Sequence, residues 1–362
     1  MIPLRLAILS YCLPKAGVKR GGIERVAHTL ADGLACRGHQ VVVFSHDPAP
    51  AGAAYEARDL PWRRFVDTWI GRRMTMGYLG NLLALLPDYR EFDAIIAHGD
   101  SLLLPATGKP IVRVLCGSAL GEARTARSMG RSLLQLGVYV QELATAMVQG
   151  GVVAISENAR RDNPFVRRVI PLGVDDRVFA ATPEGRSDVP SILFVGTLDG
   201  RKRGRWLIEL FVQRVRAEHP DASLMVVGPP GADLPGVTYH TGITDDSLAA
   251  MYRRAWVYAS PSTYEGFGLP YLEAMACGTP VVATPNPGSI EVLGDGQYGL
   301  LARDEDFANA LLSLLCNDSA RRALSQVGIQ HARAYSLTIM LNRYEELLFE
   351  LVTVHAKSVA SI

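Results

Sequence analysis

Short runs of consecutive apolar residues alternate along this chain with stretches in which apolar positions recur every three or four residues. The runs Leu4–Ser10, Val41–Phe44, Ala94–Ala97, Ile111–Leu115, Val152–Ile155 and Val169–Leu172 are of the first kind, and Ile23 to about Cys36 is the first of the second. An unbroken apolar run fits a strand covered on both faces, so strands alternating with helices predict a buried parallel sheet. From Asp176 to Ser191 the pattern gives way to Ala, Pro, Gly and charge, which reads as a linker. It restarts with the runs Ile192–Val195, Leu224–Val227, Val257–Ala259 and Val281–Ala283. The predicted fold class is α/β: two Rossmann-like, doubly wound parallel-sheet domains facing a central cleft. They are placed at residues 1–175 and 186–335, with an amphipathic helix within 336–362 that can pack back on the first. Ligands of such sheets sit at the carboxyl ends of the strands, so the cleft is the expected site.

The length of 362 residues suits two domains with cores of their own. A net charge of +1 argues against a nucleic-acid binder. That average hides an asymmetry, because residues 1–184 carry 22 Lys and Arg against 17 Asp and Glu, and residues 185–362 carry 15 against 19. Five scattered cysteines, without a CxxC pair or a zinc-spaced His cluster, fit neither a disulfide framework nor structural zinc and point to a reducing cytoplasm. The apolar start reads as a first strand rather than a signal peptide, and no apolar run reaches 18 residues.

Three stretches could carry chemistry. Gly21-Gly22-Ile23-Glu24 follows the first strand, where a helix N-terminus behind small residues favours an anion. Glu265-Gly266-Phe267-Gly268-Leu269-Pro270 follows the strand Val257–Ala259, with Glu273 on the next helix. Its glycines bare N–H groups suited to a diphosphate, and Glu273 can take the two hydroxyls of a ribose. Gly196 to Gly204 presents Arg201, Lys202 and Arg203 just before a helix. Cations there oppose the helix dipole, and a bound pyrophosphate would explain them.

Together these stretches resemble the retaining, nucleotide-sugar-dependent glycosyltransferases of family 4, which have the GT-B fold. Pro261 to Val282 is similar to that family's E-x7-E signature, Gly21 to Glu24 to its N-terminal pattern, Gly196 to Lys202 to its phosphate loop, and Gly288 to Glu291 to a later glycine turn. The resemblance implies that Glu265 contacts the donor sugar and Glu273 the ribose. It implies that Gly266, Phe267 and Gly268, with Leu269 beside them, meet the sugar and diphosphate. Arg201 and Lys202 would grip the diphosphate from the Gly196 loop, and Gly22 would approach it from the other domain. His98, after Ala94–Ala97, matches a family histidine near the cleft, although a helix-cap or core role is open to it. The implied reaction is front-face substitution, in which the leaving phosphate oxygen takes the acceptor's proton while cations stabilise its charge.

The chain departs from the pattern in places. Val114-Leu115-Cys116-Gly117 has Cys116 where the family has a His on the donor sugar, which opens donor choice to a sugar without a 6-hydroxyl. Leu172 stands for an Asn, and Thr197 for an Arg. No metal is expected: Asp304-Glu305-Asp306 precedes a helical run and reads as dipole-favoured acids. Trp62, Phe65, Val66, Trp69 and Ile70 share a helical face beside Arg63, Arg64, Arg72 and Arg73, which fits a peripheral contact with the inner membrane face or a packing helix.

The expected function is hexosyltransferase-like and free of cofactors. It moves a sugar from a UDP or GDP type donor to a lipid-linked or cell-surface glycan, in polysaccharide biosynthesis. The alternatives are a small-molecule acceptor such as an antibiotic scaffold, a nucleotide-sugar 2-epimerase, against which the E-x7-E spacing argues, and a silent partner subunit.

Overall fold

The computed structural model describes residues 2–14, 22–60, 62, 80–99, 101–126, 128–182 and 185–361. The chain divides into two units, Met1–Pro171 with Met340–Ile362, and Leu172–Ile339. Gly21 and the basic aromatic stretch from Arg63 to Arg73 lie outside the described residues.

In the first unit seven strands form one sheet: β1 (Arg5–Leu9), β2 (Gln40–Ser45), β3 (Glu56–Asp59), β4 (Ala94–Ala97), β5 (Ile111–Leu115), β6 (Gly151–Ala154) and β7 (Arg168–Val169). All neighbours run parallel in the order β3-β2-β1-β4-β5-β6-β7, with Leu6 of β1 opposite Val41 on one side and Ala94 on the other. Among the described residues its helices are α1 (Gly22–Cys36), α2 (Gly80–Leu83), α3 (Ala119–Arg124), α4 (Met129–Val148) and α5 (Glu157–Asp162). Ser118, Ser128 and Ser156 start the last three, each side chain accepting an N–H three residues on.

The second unit repeats the scheme with six strands: β8 (Ser191–Val195), β9 (Ser223–Val227), β10 (Val237–His240), β11 (Val257–Ser260), β12 (Val281–Ala283) and β13 (Leu300–Leu301). Their order is β10-β9-β8-β11-β12-β13, again all parallel. Around them lie α6 (Gly204–Leu210), α7 (Asp245–Arg254), α8 (Leu269–Ala276), α9 (Pro287–Val292), α10 (Asp304–Cys316) and α11 (Asp318–Ala332). Phe194, Phe211, Phe307 and Leu311 fill the core between the sheet and these helices. The stretch after Asp176 is anchored here: Phe179 is buried against Tyr252, and Trp256 Nε1 donates to Ser187 O at 2.7 Å.

The last helix, α12 (Leu337–Ala360), belongs to the first unit from Met340 onwards. Leu341, Tyr344 and Leu348 are buried there, and Glu345 accepts from Arg37 at 2.5 Å and pairs with His39 at 3.1 Å. A Cβ at Gly33 of α1 would lie 2.7 Å from Leu341, so the two helices meet closely. Among the described residues no helix is long and apolar enough to cross a membrane.

Strands β3, β10 and β13 are absent from the sequence expectation. All three are sheet edges of two to four residues, mostly half-buried or exposed, too short and too open to need an apolar run. The expected run Val169–Leu172 is a strand only as far as Val169, since the chain turns there towards the second unit and Val174 bridges Ser336.

Candidate functional site

In each sheet the strand order reverses at one point, between β1 and β4 in the first unit and between β8 and β11 in the second. Helices leave such a point in opposite directions and open a crevice at the carboxyl ends of the two strands. Gly22 and His98 follow β1 and β4, while Gly196 and Glu265 follow β8 and β11. The topology therefore gathers the sequence candidates at the switch point of each unit.

In the second unit the loops after β8 and β11 are tied together. Thr263 N donates to Arg201 O at 2.9 Å. Nη1 of Arg201 donates to Tyr264 O at 2.6 Å and to Glu265 Oε2 at 2.8 Å, and Lys202 Nζ donates to Glu265 Oε1. Glu265 is buried, while the Arg201 side chain is 53% exposed and that of Lys202 18%. Burial pushes the Glu265 carboxyl up, but Lys202 and Arg201 outweigh it and hold the group below its ordinary value. The three side chains carry a net single positive charge, and the half-exposed guanidinium has more donors than these bonds use.

Glycines make this arrangement possible. A Cβ at Gly288 would lie 2.4 Å from Phe267 O and 2.8 Å from Glu265 O, so α9 can start against the Glu265 loop only without a side chain. Its N–H donates to Glu265 O at 3.1 Å. Gly268 caps α8 at φ +107°, and a Cβ there would strike the Tyr271 ring at 2.4 Å. Beside it Gly266 and Leu269 are half-buried, and the buried Phe267 ring packs on Tyr335 at 6.0 Å. A Cβ at Gly228, after β9, would come 2.1 Å from Gly196 O, so the ends of β8 and β9 lie this close only because Gly228 has no side chain.

Glu273 is 1% exposed on α8, with the buried Tyr252 hydroxyl donating to its Oε2 at 3.2 Å. Tyr252, Tyr258 and Tyr271 form an aromatic wall beneath the two glutamates. The Glu273 carboxylate, expected to meet a ribose, lies against the Tyr252 hydroxyl. Arg203 is engaged elsewhere. It sits at φ +55°, forms a two-point ion pair with Asp304 at 2.8 and 2.6 Å, and lies over the Trp206 ring at 4.2 Å. Only Arg201 and Lys202 of the three cations face Glu265, and Asp304 is bound by an arginine at the start of α10.

In the first unit Gly22 opens α1, is exposed, and has nothing within 4 Å of where a Cβ would stand. His98 is buried beside Cys116, with Nδ1 3.7 Å from Sγ. Among the described residues His98 Nε2 has no hydrogen-bond partner. Burial, helped by Arg113, pushes His98 down to about 3, and burial pushes Cys116 up to about 12. At neutral pH the pair is an uncharged imidazole and a thiol, suited to hydrogen bonding a neutral hydroxyl.

This burial has a pH signature. Between about 3 and 6.5 the unfolded chain binds a proton at His98 that the folded chain does not, so stability from this residue is present above pH 6.5 and is lost as pH falls. Relative to pH 8, wild type at pH 5 should lose about 2 kcal/mol more than His98→Gln. Denaturant melts of both proteins check this, and parallel curves would reject a buried neutral His98.

Gly228, Tyr252, Tyr258 and Asn286 were not singled out from the sequence. Gly228 carries the same signal as Gly196, a glycine ending an apolar run. Asn286 caps α9 and also donates to Ser262 O at 2.9 Å, a tie between loops that no spacing reveals.

Two family models match the chain: "Glycosyltransferase Family 4" over residues 20–178 and "Glycosyl transferases group 1" over 189–317. A phosphatidyl-myo-inositol mannosyltransferase of Mycobacterium tuberculosis is 27% identical over 363 aligned positions, taking 89% of this chain and 91% of that protein. Among solved structures, a sucrose-phosphate synthase from Thermosynechococcus elongatus superposes with a TM-score of 0.73 at 21% identity, covering 99% of this chain and 100% of that one. The Anabaena protein HepE in complex with UDP-glucose gives 0.68 at 16% identity, covering 99% and 100%. The matches fall on both units and the folds agree over nearly the whole length, so the chain belongs to the family 4 glycosyltransferases and has the GT-B fold.

Proposed function

We propose that this glycosyltransferase is a retaining, metal-independent enzyme that transfers a sugar from a nucleoside-diphosphate sugar to a lipid-linked or cell-surface glycan. The observation that carries the reading is the Glu265 carboxylate locked between Arg201 and Lys202 where β8 and β11 end. Glu265 is held at a fixed point for the hydroxyls of the donor sugar, and it in turn aims two cations at the diphosphate. In the step itself the bond from the sugar's C1 to the phosphate oxygen breaks and a bond from C1 to the acceptor oxygen forms on the same face. The acceptor's proton goes to the departing phosphate oxygen, whose charge Arg201 and Lys202 stabilise. His98 and Cys116 offer uncharged partners to a sugar hydroxyl, and the thiol is the weaker of the two. The lipid-linked acceptor is supported by the mannosyltransferase relative, and the UDP-sugar donor by HepE. The reading places the protein in the cytoplasm, at the inner membrane face.

The test is turnover of a panel of UDP- and GDP-sugars, with and without acceptor, followed by the anomeric configuration of the product. Slow donor hydrolysis without acceptor, a retained anomer, and a rate unchanged after dialysis against EDTA are expected. An inverted product would overturn retention, loss of rate restored by a divalent cation would overturn metal independence, and no turnover of any donor would favour a silent subunit.

A further inference from the structure

The backbone of Gly266, Phe267 and Gly268 is where the donor is expected, and two of these residues have no side chain to hold them. Phe267 is the exception. It is 3% exposed, and its ring centroid lies 6.0 Å from that of Tyr335, tilted by 52°. Tyr335 ends the 3₁₀ turn Arg333–Tyr335 that follows α11. Behind it His331, in the last turn of α11, meets the Tyr335 ring edge-on at 5.1 Å and stacks on Tyr298 at 3.7 Å. His331 Nε2 also donates to Val292 O at 3.0 Å, at the end of α9. That helix begins against the same loop, where Gly288 N donates to Glu265 O. Residues 331–335 therefore hold the donor loop twice, through the Phe267 ring and through the helix that frames it.

Tyr335 is itself fixed from its other side. Val174 N donates to Tyr335 O at 2.8 Å and Leu337 N to Val174 O at 2.8 Å, and a Cβ at Gly173 would lie 2.6 Å from Leu337 Cα. The stretches by which the chain enters the second unit at Leu172 and leaves it at Ile339 are thus paired backbone to backbone. A ring carried on a backbone bonded in this way moves only about its own side-chain torsions, and His331 restricts those. We propose that Tyr335 is a positioning residue for the donor: its ring holds Phe267, and so sets the place of the Gly266 to Gly268 backbone against the diphosphate. What it supplies is placement rather than contact, and small misplacements of a binding loop are costly. The proposal rests on the donor-loop reading above.

The experiment measures donor KM and kcat for Tyr335→Ala, Tyr335→Phe, Phe267→Ala and the double Ala variant, with the UDP- or GDP-sugar that wild type turns over fastest. Tyr335→Ala should raise donor KM about tenfold, because the loop loses the ring behind it. Tyr335→Phe keeps that ring and should have the wild-type donor KM. A purely structural role would lower the melting temperature and the folded fraction, which reduces kcat but leaves KM where it was. In the Phe267→Ala background Tyr335→Ala should add nothing to donor KM, since it acts through that ring. Calorimetric UDP and GDP affinities repeat the comparison without turnover, and the same variants should be weakened. The proposal is overturned if Tyr335→Ala leaves donor KM and nucleotide affinity unchanged, or if its effect adds in full to that of Phe267→Ala. Phe267→Ala separates the two readings. If it raises donor KM while Tyr335→Ala does not, the donor loop stands and this proposal alone falls; if neither moves it, the donor-loop reading falls as well.

Discussion

Lys202→Ala is expected to lower kcat/KM by about a hundred- to a thousandfold, the usual cost of deleting one donor aimed at developing charge. The argument starts from burial. Lys202 Nζ is largely covered and donates to a buried carboxylate, so the cation is held in place before any substrate arrives. Arg201, half-exposed, also bonds Tyr264 O and keeps more mobility at its free end. Arg201→Ala should therefore cost less than Lys202→Ala. Removing Lys202 also leaves Glu265 with one cation instead of two, which raises its carboxyl towards the ordinary range. The acid limb of the rate profile should move to higher pH, a change that loss of a solvated surface lysine would not produce. Steady-state kinetics from pH 4 to 8 on a variant with wild-type melting behaviour is the measurement. A normal rate with a normal profile would show that the cation pair has no part in transfer.

Glu273→Ala should weaken UDP or GDP binding by tenfold or more. A carboxylate that accepts both ribose hydroxyls makes two charge-assisted hydrogen bonds, each worth about 1.5–3 kcal/mol before compensation. The structure sharpens this expectation. The Glu273 carboxylate lies in the wall with Tyr252, so a ribose that binds it would have to uncover it. Tyr252→Phe removes that competing donor and should leave nucleotide affinity equal or tighter, while Glu273→Ala weakens it. Calorimetric titration of both variants separates the two roles of Glu273. If Glu273→Ala binds nucleotide like wild type and only melts earlier, the residue is part of the wall alone.

The cation cluster shows how far residue spacing reaches. Arg201, Lys202 and Arg203 are equivalent as a charge run, yet Arg203, itself left-handed, has its side chain on Asp304 and Trp206. That placement depends on a partner 101 residues along the chain, which local sequence does not encode. His98 and Cys116 are similar. Each is a candidate through the family resemblance, but their pairing and neutral state come from burial at the ends of β4 and β5.

What the sequence determined by itself is what depends on near neighbours along the chain. The unbroken apolar runs became the central strands, and the glycine-flanked Glu265 loop stands at the end of β11 with α8 starting at Leu269. The tertiary structure alone decided the edge strands, the closure of Glu265 between two cations from the β8 loop, and the burial of Glu273. Each of these rests on contacts between segments far apart in the chain, where packing and desolvation, not spacing, set which side chain meets which.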